Sequence, residues 1–363
     1  MSTGDGHFPL SNRDYQPIIG KCKLMCPIKE YNFRKKHNLL HSLEKGEGCH
    51  CVKEFHRSAA GETVCHPDNL RPIQVLLETA NYLFDEILFH PNSSFVAIYD
   101  FIFDRLRSVR QDAVIQELQY TRPQLYIILL EKCINFYCYA AYRKTVDLDL
   151  AIDMYINSNH IKNCLETLMD TYCLMSFKFD NPILLKSCLK MLSLYVLQSY
   201  VSPETLIEIL IKVPKHIRDM QPVKTCVLMC VALRHKNYVK LMKLATLLCH
   251  NWIFASLCFL TTNLGEIRSD IIKMLCASHS SKVGSFSALD LRRWLLLQSE
   301  KDIISYCKNS GLKILPNNGI QFNKSGSKEV TKYPSGCYVL YTLQTLSKDK
   351  IVQHLKGPDM INY

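Results

Sequence analysis

The chain has 363 residues, 48% of them apolar and 21% charged, which excludes a disordered chain and leaves enough sequence to bury a core without disulfides or metals. Thirteen glycines and 14 prolines are too few for a collagen-like or low-complexity chain. Lys plus Arg is 44 against 33 Asp plus Glu, and the formal net charge of +11 is compatible with a polyanionic partner.

Residues 1–70 read as irregular, with turn-rich stretches at 46–48 and 61–72 and a short basic helix over 30–43 carrying Arg34, Lys35 and Lys36. The first 21 residues carry Asp5, His7, Arg13 and Asp14 and lack the apolar region of a secretory signal, so the 17 cysteines are expected to be reduced. Most lie inside apolar helical runs (Cys133, Cys138, Cys164, Cys173, Cys188, Cys226, Cys230, Cys258, Cys276) and read as small buried hydrophobes. Cys22, Cys26, Cys49 and Cys51, with His37, His41, His50 and the Cys65-His66 pair, crowd the N-terminal 70 residues. Thiolate and imidazole suit a structural zinc site, but the C-x-x-C spacing of common zinc modules is absent. A zinc site and free thiols with surface histidines are both open readings.

From Pro72 onward the apolar period is helical. Ile73, Leu76, Ala80, Leu83 and Ile87 recur at three- and four-residue spacing, and Phe95, Ile98, Ile102, Leu106 and Val109 do the same. On that second helix, Arg107 and Arg110 share one side while Leu106 and Val109 face inward. Its charges, with Asp104, Arg105 and Asp112, are either a solvated face or a buried ionic network pinning the N-terminal segment through Arg57 and Arg71. Further helices are expected over 125–144, 148–157, 161–176, 183–200, 206–213, 223–235, 238–249, 252–263 and 267–278, with Asn181-Pro182 and Ser202-Pro203 as starts. Residues 244–265 lack Asp, Glu, Lys and Arg, but His250, Asn251, Ser256, Thr261, Thr262 and Asn263 favour a pair of core helices, capped at Asn251, over a membrane span.

Many medium helices with short turns and no strict repeat fit a helical-repeat α-solenoid over 71–280. Over 281–330, two short helices at 287–297 and 300–310 precede Leu312-Lys313-Ile314-Leu315, the turn Pro316-Asn317-Asn318-Gly319 and Ile320-Gln321-Phe322. Helix, helix and hairpin is the layout of a winged helix, and 331–363 reads as a C-terminal extension.

The common nucleotide-binding, hydrolase and metalloprotease motifs are absent, so the chain is expected to be non-enzymatic and cofactor-free. Between 211 and 250 eight basic residues (Lys212, Lys215, Arg218, Lys224, Arg234, Lys236, Lys240, Lys243) stand against Asp219 alone. With Lys301, Lys308 and Lys313 near the hairpin they form either a basic stripe for a phosphate backbone or scattered solvated faces.

Four ordered blocks carry a resemblance. Gly20-Lys21-Cys22-Lys23-Leu24-Met25-Cys26-Pro27, followed by Glu30 and Arg34, is similar to the G-x-C-x-x-M-C-P opening of the suppressor-of-actin-three/GANP family. Val52-Lys53-Glu54-Phe55-His56-Arg57-Ser58-Ala59-Ala60-Gly61, then Leu70-Arg71-Pro72 with Leu76, Thr79, Tyr82 and Leu83, resemble its next two blocks. The run from Phe101 to Asp112, with Gln116 beyond, resembles its arginine-rich helix.

The resemblance implies a PCI-like scaffold, a helical repeat ending in a winged helix. Large members organise the nuclear TREX-two complex, which couples transcription to mRNA export. There the domain pairs winged helix to winged helix with a PCI-domain protein beside a small acidic Sem/Dss-type subunit, and the paired surfaces bind nucleic acid, for which single-stranded RNA is the expected ligand here. The chain resembles the short branch of the family, without Phe-Gly repeats or an acetyltransferase-like region, whose members are linked with centrosome duplication and the mitotic spindle in cell division. A nuclear and cytoplasmic location, with centrosome or spindle as the alternative, and no membrane association follow as expectations.

Overall fold

A computed structural model describes residues 17–45, 48–57, 66–147, 149–179, 181–199, 202–250, 254–297, 299–323 and 346–357. The expected cap at Asn251, residues 46–47 and 61–65 of the turn-rich stretches at 46–48 and 61–72, and most of the extension over 331–363 lie outside them.

The N-terminal layer is largely extended chain around α1 (Ile28–Lys36) and two 3-10 turns, Ser42–Glu44 and Pro67–Asn69. The basic helix expected over 30–43 stops at Lys36, because Asn38 takes a left-handed conformation, φ 58°, and turns the chain. The body follows: α2 (Ile73–Tyr82), prolonged by a π-helical turn at Leu83–Ile87, α3 (Phe95–Ile115), α4 (Leu118–Thr121), α5 (Pro123–Val146), α6 (Met154–Leu174), α7 (Pro182–Gln198), α8 (Pro203–Lys212), α9 (Lys215–Arg218), α10 (Val223–Arg234), α11 (Tyr238–His250) and α12 (Phe254–Ser278).

Helix starts follow local chemistry. Ser94, Asn181 and Ser202 cap α3, α7 and α8 through their side-chain oxygens, and Pro123, Pro182 and Pro203 occupy first helical positions where no N–H is needed. α5 is the hub: every residue from Tyr126 to Tyr142 is buried, and α2, α3, α4, α6, α7 and α12 all pack on it. A helix buried on every side over that stretch has no face to offer water there. Beyond it, α6 packs on α7, α7 on α10, α10 on α11 and α11 on α12, which returns to α5 and α7.

Two expected breaks are absent. Residues 149–153 are not helical, and the helices expected over 148–157 and 161–176 are one helix, α6, started by the Asp153 carboxylate accepting from Ile156 N at 3.0 Å. Asn157 ends nothing: it is fully buried, donating to Tyr137 O at 2.9 Å and accepting from Tyr99 Oη at 3.3 Å. Likewise the expected pair 252–263 and 267–278 is the single helix α12, running through Gly265. Packing against α5 and α7 outweighs the roughly 1 kcal/mol that a mid-helix glycine costs.

The last module is β1 (Phe286–Ser287), α13 (Ala288–Trp294), α14 (Glu300–Asn309), β2 (Lys313–Ile314) and β3 (Gly319–Gln321). The strands form an antiparallel sheet in the order β1-β3-β2, with Ile320 opposite both Phe286 and Ile314. Ser299 and Asp302 make a reciprocal capping box that starts α14. Arg268 of α12 joins module to body, donating from Nε to Leu295 O at 2.8 Å and from Nη2 to Leu296 O at 3.1 Å. A final helix, Lys348–Lys356, lies on α5 and the π-helical turn. Among the described residues no helix is long and apolar enough to cross a membrane.

Candidate functional site

Two constellations stand out: a buried ionic network under the N-terminal layer and a set of exposed cations running into the last module.

The network hangs on α3. Asp112, fully buried, takes Arg71 Nε on Oδ2 at 2.7 Å and Lys53 Nζ on Oδ1 at 2.6 Å. Arg71, also fully buried, donates from Nη2 to Ser108 Oγ at 2.8 Å and from Nη1 to Met25 O at 3.2 Å. Gln116 donates to Arg71 O at 2.8 Å and accepts from Gly20 N at 2.8 Å. An added Cβ at Gly20 would stand 2.6 Å from Leu70 O, so the close approach requires glycine. One helix thereby fixes the residue 20–25 segment, the residue 52–54 segment and the start of α2.

A second node sits one to two turns earlier. Arg105 meets Asp104 at 2.5 Å, Glu54 at 3.1 Å and Glu44 at 3.2 Å. Arg34 of α1 pairs with Glu44 directly and with Glu54 at 3.0 Å. Glu44 also accepts from Val52 N at 3.1 Å and His41 N at 3.0 Å. Burial by itself raises the Glu44 carboxyl; Arg105, the Val52 amide and Arg34 outweigh it and hold the group below its ordinary value.

The other arginines of α3 act differently. Arg107 stacks on the Phe55 ring, 3.8 Å from its centroid. Arg110 Nη1 lies 2.9 Å from His160 Nδ1, and burial followed by Arg110 and Arg107 lowers the His160 pKa to about 4, so that imidazole is a neutral acceptor. Arg57 is exposed and has no ion pair among the described residues. Arg34, Glu44, Lys53, Glu54, Ser108 and Gln116 enter the network without having been expected there. Arg34, Lys53, Glu54 and Gln116 all stand in the blocks quoted for the resemblance, whereas Glu44 carries no sequence signal.

The four N-terminal cysteines do not converge. Cys22 donates to Leu24 O at 3.3 Å, Cys49 is half-buried, and only Cys26 and Cys51 meet. Among the described residues, the ligand atoms of Glu30, Glu54 and His56 alone lie within 4.8 Å of one another. Their carboxylates already face Arg34, at 3.8 Å from Glu30 and 3.0 Å from Glu54, which places the group within the ionic network.

The cations form the second constellation. Lys212, Lys215, Lys236, Lys240 and Lys243 are all exposed, and Lys212 is paired with Glu208 at 2.8 Å. Lys236, in the left-handed turn between α10 and α11 at φ 52°, precedes Lys240 and Lys243 on α11 by spacings of four and three. Lys301 and Lys308 on α14 and Lys313 on β2 are exposed as well. Apart from Lys212, none of these lysines has a carboxylate partner among the described residues. α11 packs on α13, α13 on α14 and α14 on β2, so Lys240 and Lys243 sit on the same series of packed elements as Lys301, Lys308 and Lys313, while Lys212 on α8 and Lys215 on α9 lie outside it.

The sequence profile of the SAC3/GANP family matches residues 25–316, which takes in the ionic network, the helical body and most of the last module. Protein xmas of Drosophila melanogaster is 26% identical over 314 residues, 81% of this chain and 14% of its own length. SAC3 family protein 1 of Schizosaccharomyces pombe is 25% identical over 335 residues, 85% of this chain and 32% of its own. SAC3 family protein B of Arabidopsis thaliana is 28% identical over 167 residues, 43% of this chain and 9% of its own. The chain thus spans a minor part of each of these relatives. With a match over residues 25–316, the chain belongs to the SAC3/GANP family.

Proposed function

We propose that the chain is a non-enzymatic scaffold of the mRNA-export type, pairing with a PCI-type partner and holding single-stranded RNA. In this reading β1, α13, α14 and the β2–β3 hairpin are a winged helix that docks the partner, and a small acidic subunit of the Sem/Dss type joins the assembly. The observation that carries the reading is the exposed lysines Lys240, Lys243, Lys301, Lys308 and Lys313, without carboxylate partners among the described residues, on elements packed from α11 through α13 and α14 to β2. Cations without counter-charges displace condensed counterions from a phosphate backbone, and no base-reading pocket is needed for that.

The test is RNA binding measured against salt, with the partner present. Affinity is expected to fall with a log–log slope of about −0.7 per phosphate contact. Reversing Lys236, Lys240 and Lys243 to Glu weakens binding to all sequences alike and flattens the slope. Unchanged RNA affinity in the triple variant rejects the lysine surface. Partner binding retained without any RNA affinity turns the reading to a scaffold of protein contacts alone, as a cell-division factor at the centrosome or spindle would be.

A further inference from the structure

Two cysteines meet beside an arginine of the ionic network. Cys26 closes the opening segment just before α1, and Cys51 lies in the segment that leads to Lys53 and Glu54. The backbone bond from Lys53 N to Met25 O, 3.0 Å, clamps the two segments together. Cys26 is buried, its thiol donates to Pro27 O at 3.7 Å, and the Cys51 side chain is close enough for the two thiols to influence each other's titration. Cys51 is half-buried, so a small solute can reach it, and Arg34 Nη1 donates to Cys51 Sγ at 3.1 Å. A sulfur that accepts from a guanidinium is in the environment that stabilises a thiolate.

We propose that Cys26 and Cys51 are a peroxide-reactive pair, with Cys51 as nucleophile and Cys26 as resolving thiol. In the first step the Cys51 thiolate attacks one oxygen of hydrogen peroxide. An S–O bond forms, the O–O bond breaks, and the leaving hydroxide takes a proton to become water, leaving a sulfenic acid. In the second step the Cys26 sulfur attacks the Cys51 sulfur. The S–O bond breaks, the Cys26 proton leaves with the hydroxyl as a second water, and the two sulfurs have together given up two electrons to the peroxide. The product ties the segment before α1 covalently to the segment that carries Lys53 and Glu54.

The surroundings distinguish this pair from the other thiols. The neighbouring Cys26 thiol holds the Cys51 thiol below its ordinary value, with help from Arg34 and against burial, Glu44 and Glu30. Burial pushes the thiols of Cys133, Cys138, Cys188 and Cys226 up, which keeps them protonated and inert. The exposed Cys173, also raised by burial, serves as an internal control.

The experiment treats the full-length reduced chain with hydrogen peroxide, blocks remaining thiols with an alkylating reagent and maps peptides by mass spectrometry. A Cys26–Cys51 linkage is expected at least about tenfold faster than any oxidation of Cys173, because the thiolate is the reacting form. Cys26→Ser is expected to accumulate a sulfenic acid at Cys51 that a 1,3-dione traps, and Cys51→Ser to leave Cys26 a thiol at the same dose. Alkylation of both cysteines after Cys173 has been oxidised would overturn the proposal. So would linkage of Cys51 to Cys49 in place of Cys26.

Discussion

Asp112→Ala tests whether α3 holds the N-terminal layer by charge. The substitution leaves Arg71, with no exposed surface, and the nearly buried Lys53 without the carboxylate that sits 2.7 and 2.6 Å from them. Arg71 keeps Ser108 and Met25 O, and Lys53 keeps Asn69 O at 2.7 Å, so the hydrogen bonds are partly preserved while the charge is not. Removing one partner of a buried pair costs about 3–5 kcal/mol, and two stranded cations place this site within that range. That is a large share of the ~5–15 kcal/mol by which a folded protein is stable. Replacing Lys53, Arg71 and Asp112 together by Met, Met and Leu removes all three charges and is expected to cost less than Asp112→Ala alone. Urea unfolding followed by circular dichroism gives the order, and limited proteolysis reports early release of residues 20–57. A loss below about 1 kcal/mol for Asp112→Ala, or a triple variant less stable than the single one, would refute the reasoning.

Two further outcomes follow from the geometry. Because the Glu44 carboxyl is held below its ordinary 4.5, its contribution is complete above that pH and is lost as pH falls through the lower folded value; Glu44→Gln should flatten this acid limb of unfolding midpoint against pH, and an unchanged limb would exonerate Glu44. Arg268→Leu leaves the carbonyls of Leu295 and Leu296 without their donors, at a cost of about 1.5–3 kcal/mol, and should speed hydrogen exchange in α13 while α5 stays protected; equal protection of α13 in both proteins would count against the clasp.

The helical body was legible because α2, α7 and α8 carry both a helical apolar period and a start signal at Pro72, Asn181 or Ser202, and α3 carries the period. The hairpin was legible from Asn317-Asn318-Gly319, but β1 was not: two residues, Phe286 and Ser287, are too short to show alternation, and only their pairing with Ile320 and Gly319 makes them a strand. α6 and α12 were misread as pairs because polar residues such as Asn157 and the glycine at 265 look like breaks until the burial that absorbs them is known. At the network, Arg71, Arg105, Asp104 and Asp112 were readable as one charged group. Glu44 was not, since its partners Arg34 and Arg105 are 10 and 61 residues away in sequence.

The helix Lys348–Lys356 bears on the order in which the molecule assembles. Asn135 of the hub helix donates to His354 O at 3.1 Å, Lys132 donates to Lys356 O, and Lys356 Nζ reaches Asp85 at 2.9 Å, with Leu355 fully buried between them. Lys132 and Lys356 are 224 residues apart, so at 5–20 residues per second the ribosome makes the donor about 10–45 s before its acceptor. Throughout that interval α5 is complete but uncovered along this edge. The hub helix is thus closed along this edge by a segment made 224 residues after it, and a nascent chain stalled before residue 348 presents that edge to whatever else is near the tunnel exit.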